Sequence, residues 1–212
     1  MMAATPGLAQ SPRDGLTPDL AQPRALPRPP EPPSDLPNSN LPHSKPPKAS
    51  ADRERGLDFL LGALQAAPDE ASAKHVEARI WALWSQTSSD TAALLMARSK
   101  VAIANGQPEL ALKLLDAVVK LKPDYIEGWN RRATLYYVQN DYDRALRDIE
   151  QVLTREPRHF GALAGLGMIM QELGDDKRAL SAYRKALAVN PHLDRVPELV
   201  KKLTEKVEGR DI

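Results

Sequence analysis

The sequence predicts an all-α helical-repeat solenoid of about nine helices in antiparallel pairs, behind a disordered proline-rich tail. Three observations predict it. Pro123, Pro157 and Pro191 stand 34 residues apart, and the same step links Ala111, Ala145 and Ala179, then Leu115, Ile149 and Tyr183, then Val118, Val152 and Ala186. Four columns that keep one period over three copies without insertion mark units that stack on one another. Each unit also holds two stretches of helical apolar spacing, parted by a turn signal at Asn105-Gly106, Asn140-Asp141 or Gly174-Asp175. Finally, 13 of the 19 prolines and none of the aromatic side chains fall within the first 50 residues.

That first stretch, residues 1–50, cannot bury enough apolar surface to offset its ordering entropy, so it reads as an extended, disordered tail. At about 3.1 Å per residue such a tail spans roughly 100 Å or more. Arg24-Ala-Leu-Pro27-Arg-Pro-Pro30 fits a ligand pattern for proline-binding domains. In so proline-rich a segment the pattern arises cheaply, and the spacer reading is the stronger. Gly7-Leu8-Ala9 followed by Gln10 resembles the small-x-small end of an export signal. The expectation is periplasmic if the true start lies upstream and cytoplasmic otherwise.

Residues 51–91 predict a helical hairpin. Leu57, Leu60, Leu61 and Leu64 share one helical face up to Pro68, and Asp69 is the expected N-cap of a second helix carrying Val76, Ile80, Trp81, Leu83 and Trp84. The repeat columns break here: Gln65, Glu77 and Ser89 stand where a small residue, an alanine and a proline belong. A terminal unit has to cap the stack, so the two tryptophans are expected to cover its open end.

Three repeats follow at residues 92–125, 126–159 and 160–193, each with helices near 92–104 and 108–121, 126–139 and 142–155, 160–173 and 176–189. Small residues Ser99, Ala133 and Gly167 in the first helices face Ala111, Ala145 and Ala179 in the second, which lets the axes approach to about 8 Å. Residues 194–212 add one more helix, apolar at Val196, Leu199, Val200, Leu203 and Val207 and charged on its other side, which suits a C-terminal cap.

The third copy reads Leu163-x-x-Leu166-Gly167-x-x-Met170, then Ala179-x-x-x-Tyr183-x-x-Ala186 and Pro191; the second reads Trp129-x-x-Arg132-Ala133-x-x-Tyr136, then Ala145-x-x-x-Ile149 and Pro157. Both resemble the tetratricopeptide repeat (TPR) pattern W-x-x-L-G-x-x-Y, A-x-x-x-F, P. The first copy is looser but keeps the size code. The run Gly128-Trp-Asn-Arg-Arg-Ala133 and the layout are similar to small, often exported proteobacterial TPR proteins. The resemblance implies a concave groove lined by first-helix positions two, five, nine, twelve and thirteen. The partner-binding candidates so implied are Met96, Lys100, Ile103, Asn130, Thr134, Tyr137, Gly161, Ala164, Met168 and Gln171, with Glu127 at the second position of the middle repeat. It also argues against one specialisation. Co-chaperones of this family that grip acidic chaperone C-termini need lysine, asparagine and arginine at set positions, and here those are Met96, Lys100, Arg131, Gly161 and Gly165.

The remaining function classes find little support. Twenty-nine basic against 28 acidic side chains give no electrostatic reason to expect nucleic acid. No apolar run approaches the ~18 residues of a membrane span. Without cysteine there is no disulfide, thiol nucleophile or zinc-thiolate site. His43, His75, His159 and His192 form no ligand motif, and no metal or cofactor is implied. Gly161, Gly165 and Gly167 lie inside a helix with no strand before it, which excludes a phosphate loop. The acids at the inter-helix turns suit helix capping. The expected function is therefore non-catalytic protein–protein interaction, as an adaptor or scaffold; a self-assembling solenoid is the alternative and an enzyme with an unrecognised site a distant third. Arg98 and Arg132 occupy a column where the family places leucine, so each is expected to find an acidic or carbonyl partner, with Asp116, Asp124 and Asp148 nearest in register.

Overall fold

The structure, a computed structural model, describes residues 48–209. Most of the proline-rich stretch, with the 24–30 pattern and the Gly7-Leu8-Ala9 triplet, lies outside the described residues. Among those described, nine helices follow in order: α1 Lys48–Gln65, α2 Glu70–Trp84, α3 Asp90–Ala104, α4 Pro108–Leu121, α5 Ile126–Val138, α6 Tyr142–Arg155, α7 Phe160–Glu172, α8 Asp176–Val189 and α9 Val196–Val207.

Local chemistry explains the boundaries. Asp69, Ser89, Asp141 and Asp175 each accept a backbone N–H from the first turn of α2, α3, α6 and α8. Pro108 opens α4, where a missing N–H costs nothing. Gly106, Asn140 and Gly174 take φ of 66, 59 and 78° between the helices of the three pairs. They stand 34 residues apart, so one left-handed position turns each pair, and asparagine tolerates it where glycine is absent.

The pairs α3–α4, α5–α6 and α7–α8 pack through the small-residue columns. Ala111, Ala145 and Ala179 are fully buried, and a Cβ added at Gly167 would lie 2.5 Å from the Tyr183 ring. Between repeats, Leu112 is shared by the cores of the first and second, and Leu146 and Leu166 by those of the second and third. α9 closes the far end, with Val196 and Leu203 buried against α8 and Lys206 paired with Asp176.

The hairpin α1–α2 is not where the sequence placed it. It does not cover the open end at α3; it lies along the turns that join the first repeat to the second, the second to the third and the third to α9. Leu57, Leu60, Leu61, Leu64, Ala73, Ile80 and Trp84 form one core with Phe160, and Ile126, Val189 and Leu193 pack against it. The residues that break the repeat columns are the ones that fix this position. Gln65 Nε2 donates to the carbonyl of Ala188 at 2.8 Å, and Glu77 accepts from Trp81 Nε1 and from the buried Asn190 amide, each at 3.1 Å. Ser89 serves instead as the N-cap of α3. His192 Nε2 donates to Ala67 O at 3.1 Å, Arg158 pairs with Asp58 at 2.6 Å, and Tyr125 donates its hydroxyl to Ser85 O at 2.9 Å.

The two arginines in the leucine column part company for the same reason. Arg132 donates to Asp148 through Nε and Nη2, both at 2.8 Å, and through Nη1 to Asp116 of the preceding repeat at 2.7 Å, while its guanidinium lies 5.0 Å from the Trp129 ring centre. Those bonds raise its pKa beyond the ordinary arginine value. Arg98 does not follow: it is exposed and has no ion-pair partner among the described residues. Among the described residues no helix packs before α3 in the stack, so the side chain meets solvent, where an unpaired guanidinium costs little.

Candidate functional site

Hollows lie between the first helices, α3 with α5 and α5 with α7. The structure places nine of the ten candidate residues at two hollows there. Asn130, Thr134, Tyr137, Gly161, Ala164 and Met168 line a cavity of about 300 Å³ between α5 and α7, floored by Ala133, Ile149, Ala162 and Ile169. Met96, Lys100 and Ile103 line a second of about 230 Å³ between α3 and α5, together with Ser99, Tyr125 and Arg131. The tenth, Gln171, lies beyond both and accepts the Tyr183 hydroxyl at 3.0 Å. Burial pushes that phenol up to about 12, so it stays protonated and donating.

The two hollows differ in chemistry. The larger is walled by aliphatic and small side chains, with Tyr137 on its rim against Tyr142 at 5.9 Å between ring centres. It contains no carboxylate, imidazole or amine. Its volume suits one large aliphatic or aromatic side chain. The smaller carries Lys100, exposed and without an ion pair among the described residues, and Arg131, half exposed and 3.8 Å from Glu127.

One groove position is not available. Glu127, at the second position of its repeat, is buried beneath the hairpin with His159. His159 Nδ1 accepts the Ala162 N–H at 3.0 Å, capping α7, so its proton sits on Nε2 and is donated to Glu127 at 2.9 Å. Trp84 stacks on the imidazole, 4.0 Å between ring centres and 14° from parallel. His159 is therefore structural, and sequence reasoning had found no role for it. The signal was its place at the turn before α7, one residue ahead of Phe160. At Gly161 a Cβ would meet the Trp81 ring at 2.7 Å. The close approach of the hairpin thus needs glycine at that point.

A stack of paired helices with buried small-residue columns defines a helical-repeat protein. A profile of the tetratricopeptide repeat matches residues 130–193. A TPR repeat-containing protein of Rhizobium etli is 39% identical over 161 residues, 76% of this chain and 79% of that protein. The TPR domain of Sgt2 from Aspergillus fumigatus superposes with a TM-score of 0.53 at 21% identity, over 57% of this chain and 81% of that one. The first TPR of Spaghetti (RPAP3), solved with an HSP90 peptide, gives 0.54 at 16% identity, over 57% and 97%. The chain belongs to the tetratricopeptide-repeat family. Among the described residues no helix is long and apolar enough to cross a membrane.

Proposed function

We propose that the chain is a non-catalytic protein-binding module that takes a partner segment in its concave groove. The observation that carries this is the apolar cavity between α5 and α7, beside a cationic one between α3 and α5. The matching segment places a bulky apolar side chain against Tyr137, Ala164 and Met168 and an acidic group toward Lys100 and Arg131. Burying that apolar side chain contributes about 1.5–3 kcal/mol. The solved relative that holds an HSP90 peptide supports peptide binding by this fold. The grip here is different, because the C-terminal carboxylate of such a ligand would need cations at Gly161 and Gly165, and Trp81 fills the space at the first.

Tyr137→Ala with Met168→Ala is expected to weaken capture of partner proteins by the full chain about tenfold or more, with an unchanged helical circular dichroism spectrum. Both side chains lie at the rim of the cavity, so the fold survives their truncation. An unchanged set of captured proteins with both substitutions present contradicts the groove reading.

A further inference from the structure

Within the stack, each first helix receives the second helix of the repeat before it. α5 receives α4 through Gly128, Arg132 and Leu135: the first and last are buried, and Arg132 takes Asp116 of α4. α7 receives α6 at the same three positions, Ala162, Leu166 and Ile169, and Ala162 and Ile169 are buried in the core that α6 shares. One repeat earlier these positions are Leu94, Arg98 and Val101 on α3. Leu94 and Val101 are each 59% exposed. Leu110 and Leu114 of α4 continue the patch around a hollow of about 350 Å³ lined also by Arg98 and Val101. The hairpin that precedes α3 in the chain is engaged at the turn before α7 and leaves this face open.

We propose that this open face of α3 and α4 is a docking surface for a helix of a partner protein that carries an acidic side chain between aliphatic ones, supplying in trans the second helix of a preceding repeat. The template is α4 itself. Leu112 and Val119 press on the second repeat on either side of Asp116, which meets Arg132. Arg98 offers the same cation in the same register, surrounded by the same kind of apolar surface. Charge complementarity selects the occupant. A second copy docking head-to-tail would present α9, whose outer face is Glu198, Lys201, Lys202 and Glu205, all exposed, with no aliphatic ridge. Two copies docking face to face would bring their Arg98 guanidiniums together across the two-fold axis. The surface also specifies a size. Leu94 stands where Gly128 and Ala162 stand, and a Cβ at Gly128 would meet Val118 at 2.8 Å, so the incoming helix has a small residue at the position of Val118.

The probe follows from the template: a fluorescent 108–121 peptide with Val118→Ala, cross-linked between positions 113 and 120 to hold it helical, titrated with the full chain by anisotropy. Saturable binding is expected, weakened about tenfold or more by Arg98→Glu in the chain. Asp116→Lys in the peptide is expected to weaken binding to the wild-type chain and to restore it to the Arg98→Glu chain. Because Arg98 is exposed and has no ion-pair partner among the described residues, the variant keeps its fold, which circular dichroism checks. Absence of saturable binding overturns the proposal, as does binding indifferent to Arg98→Glu. Binding that responds to Tyr137→Ala instead places the helix in the groove and overturns it too. A dimer of the full chain that Arg98→Glu dissociates would make a second copy the occupant and reject the partner helix.

Discussion

Trp84→Ala is expected to release the α1–α2 hairpin while the three repeats stay stacked. The indole is 1% exposed and sits at the centre of the hairpin's attachment, stacked on His159 and within 5.0 Å of the Phe160 ring and 5.3 Å of Trp81, centre to centre. Truncating a buried tryptophan costs on the order of 3–5 kcal/mol. The loss falls on one interface, because the repeats hold each other through Leu112, Leu146 and Leu166, which Trp84 does not touch. Amide hydrogen exchange reads the difference: protection is lost in α1 and α2 and kept in α5 to α8. Trp84→Phe separates ring packing from hydrogen bonding. The buried Nε1 has no hydrogen-bond partner among the described residues, so phenylalanine gives up volume but also removes a donor unmet there, whose desolvation costs about 1–3 kcal/mol. The phenylalanine variant is expected to keep the hairpin docked. Equal loss of protection across all nine helices in Trp84→Ala, or none, contradicts this placement of the interface.

Asp148→Ala is expected to destabilise the stack by about 3–5 kcal/mol, the cost of breaking a buried ion pair by removing one partner. Its side chain is 4% exposed against 15% for Arg132, and the pair is bidentate. Asp116 alone then faces the guanidinium, and its side chain is more than half exposed, so it compensates little. The third repeat shows what the same positions accept without charge: Leu166 and buried Ala182. Arg132→Leu combined with Asp148→Ala is therefore expected to recover most of the loss. Urea unfolding of the single and double variants measures it. A double variant no more stable than Asp148→Ala alone would mean that packing, not the uncompensated charge, sets the cost.

The repeats were legible because each column carries its reason within 34 residues. Ala145 and Gly167 are small where axes approach, Asn140 and Gly174 turn left-handed, and Asp141 and Asp175 cap the next helix, so α3 to α8 fall within two residues of the expected bounds. The resting place of the hairpin was not legible, because its contacts pair residues far apart outside any column: Gln65 with Ala188, Glu77 with Asn190, Trp84 with His159. The breaks at Gln65 and Glu77 were visible as departures. What they meant was not, since a polar residue replacing a small one says only that the usual neighbour is missing. The same displacement explains the arginines. Sequence placed Arg98 and Arg132 in one column, but a column guarantees a shared environment only where a neighbouring repeat exists on both sides. The repeat register brought together the residues that line the two hollows, apart from Glu127, whose burial depends on the hairpin above it.

The central claim is that partners enter between α5 and α7, and a photo-reactive benzoylphenylalanine in place of Tyr137 tests it in the cell of origin. A covalent adduct with a partner protein is predicted at position 137, none at the exposed Glu150 position on α6, and loss of the first when Ala164→Trp fills the cavity. No adduct at position 137, or one that Ala164→Trp leaves undiminished, would contradict the account.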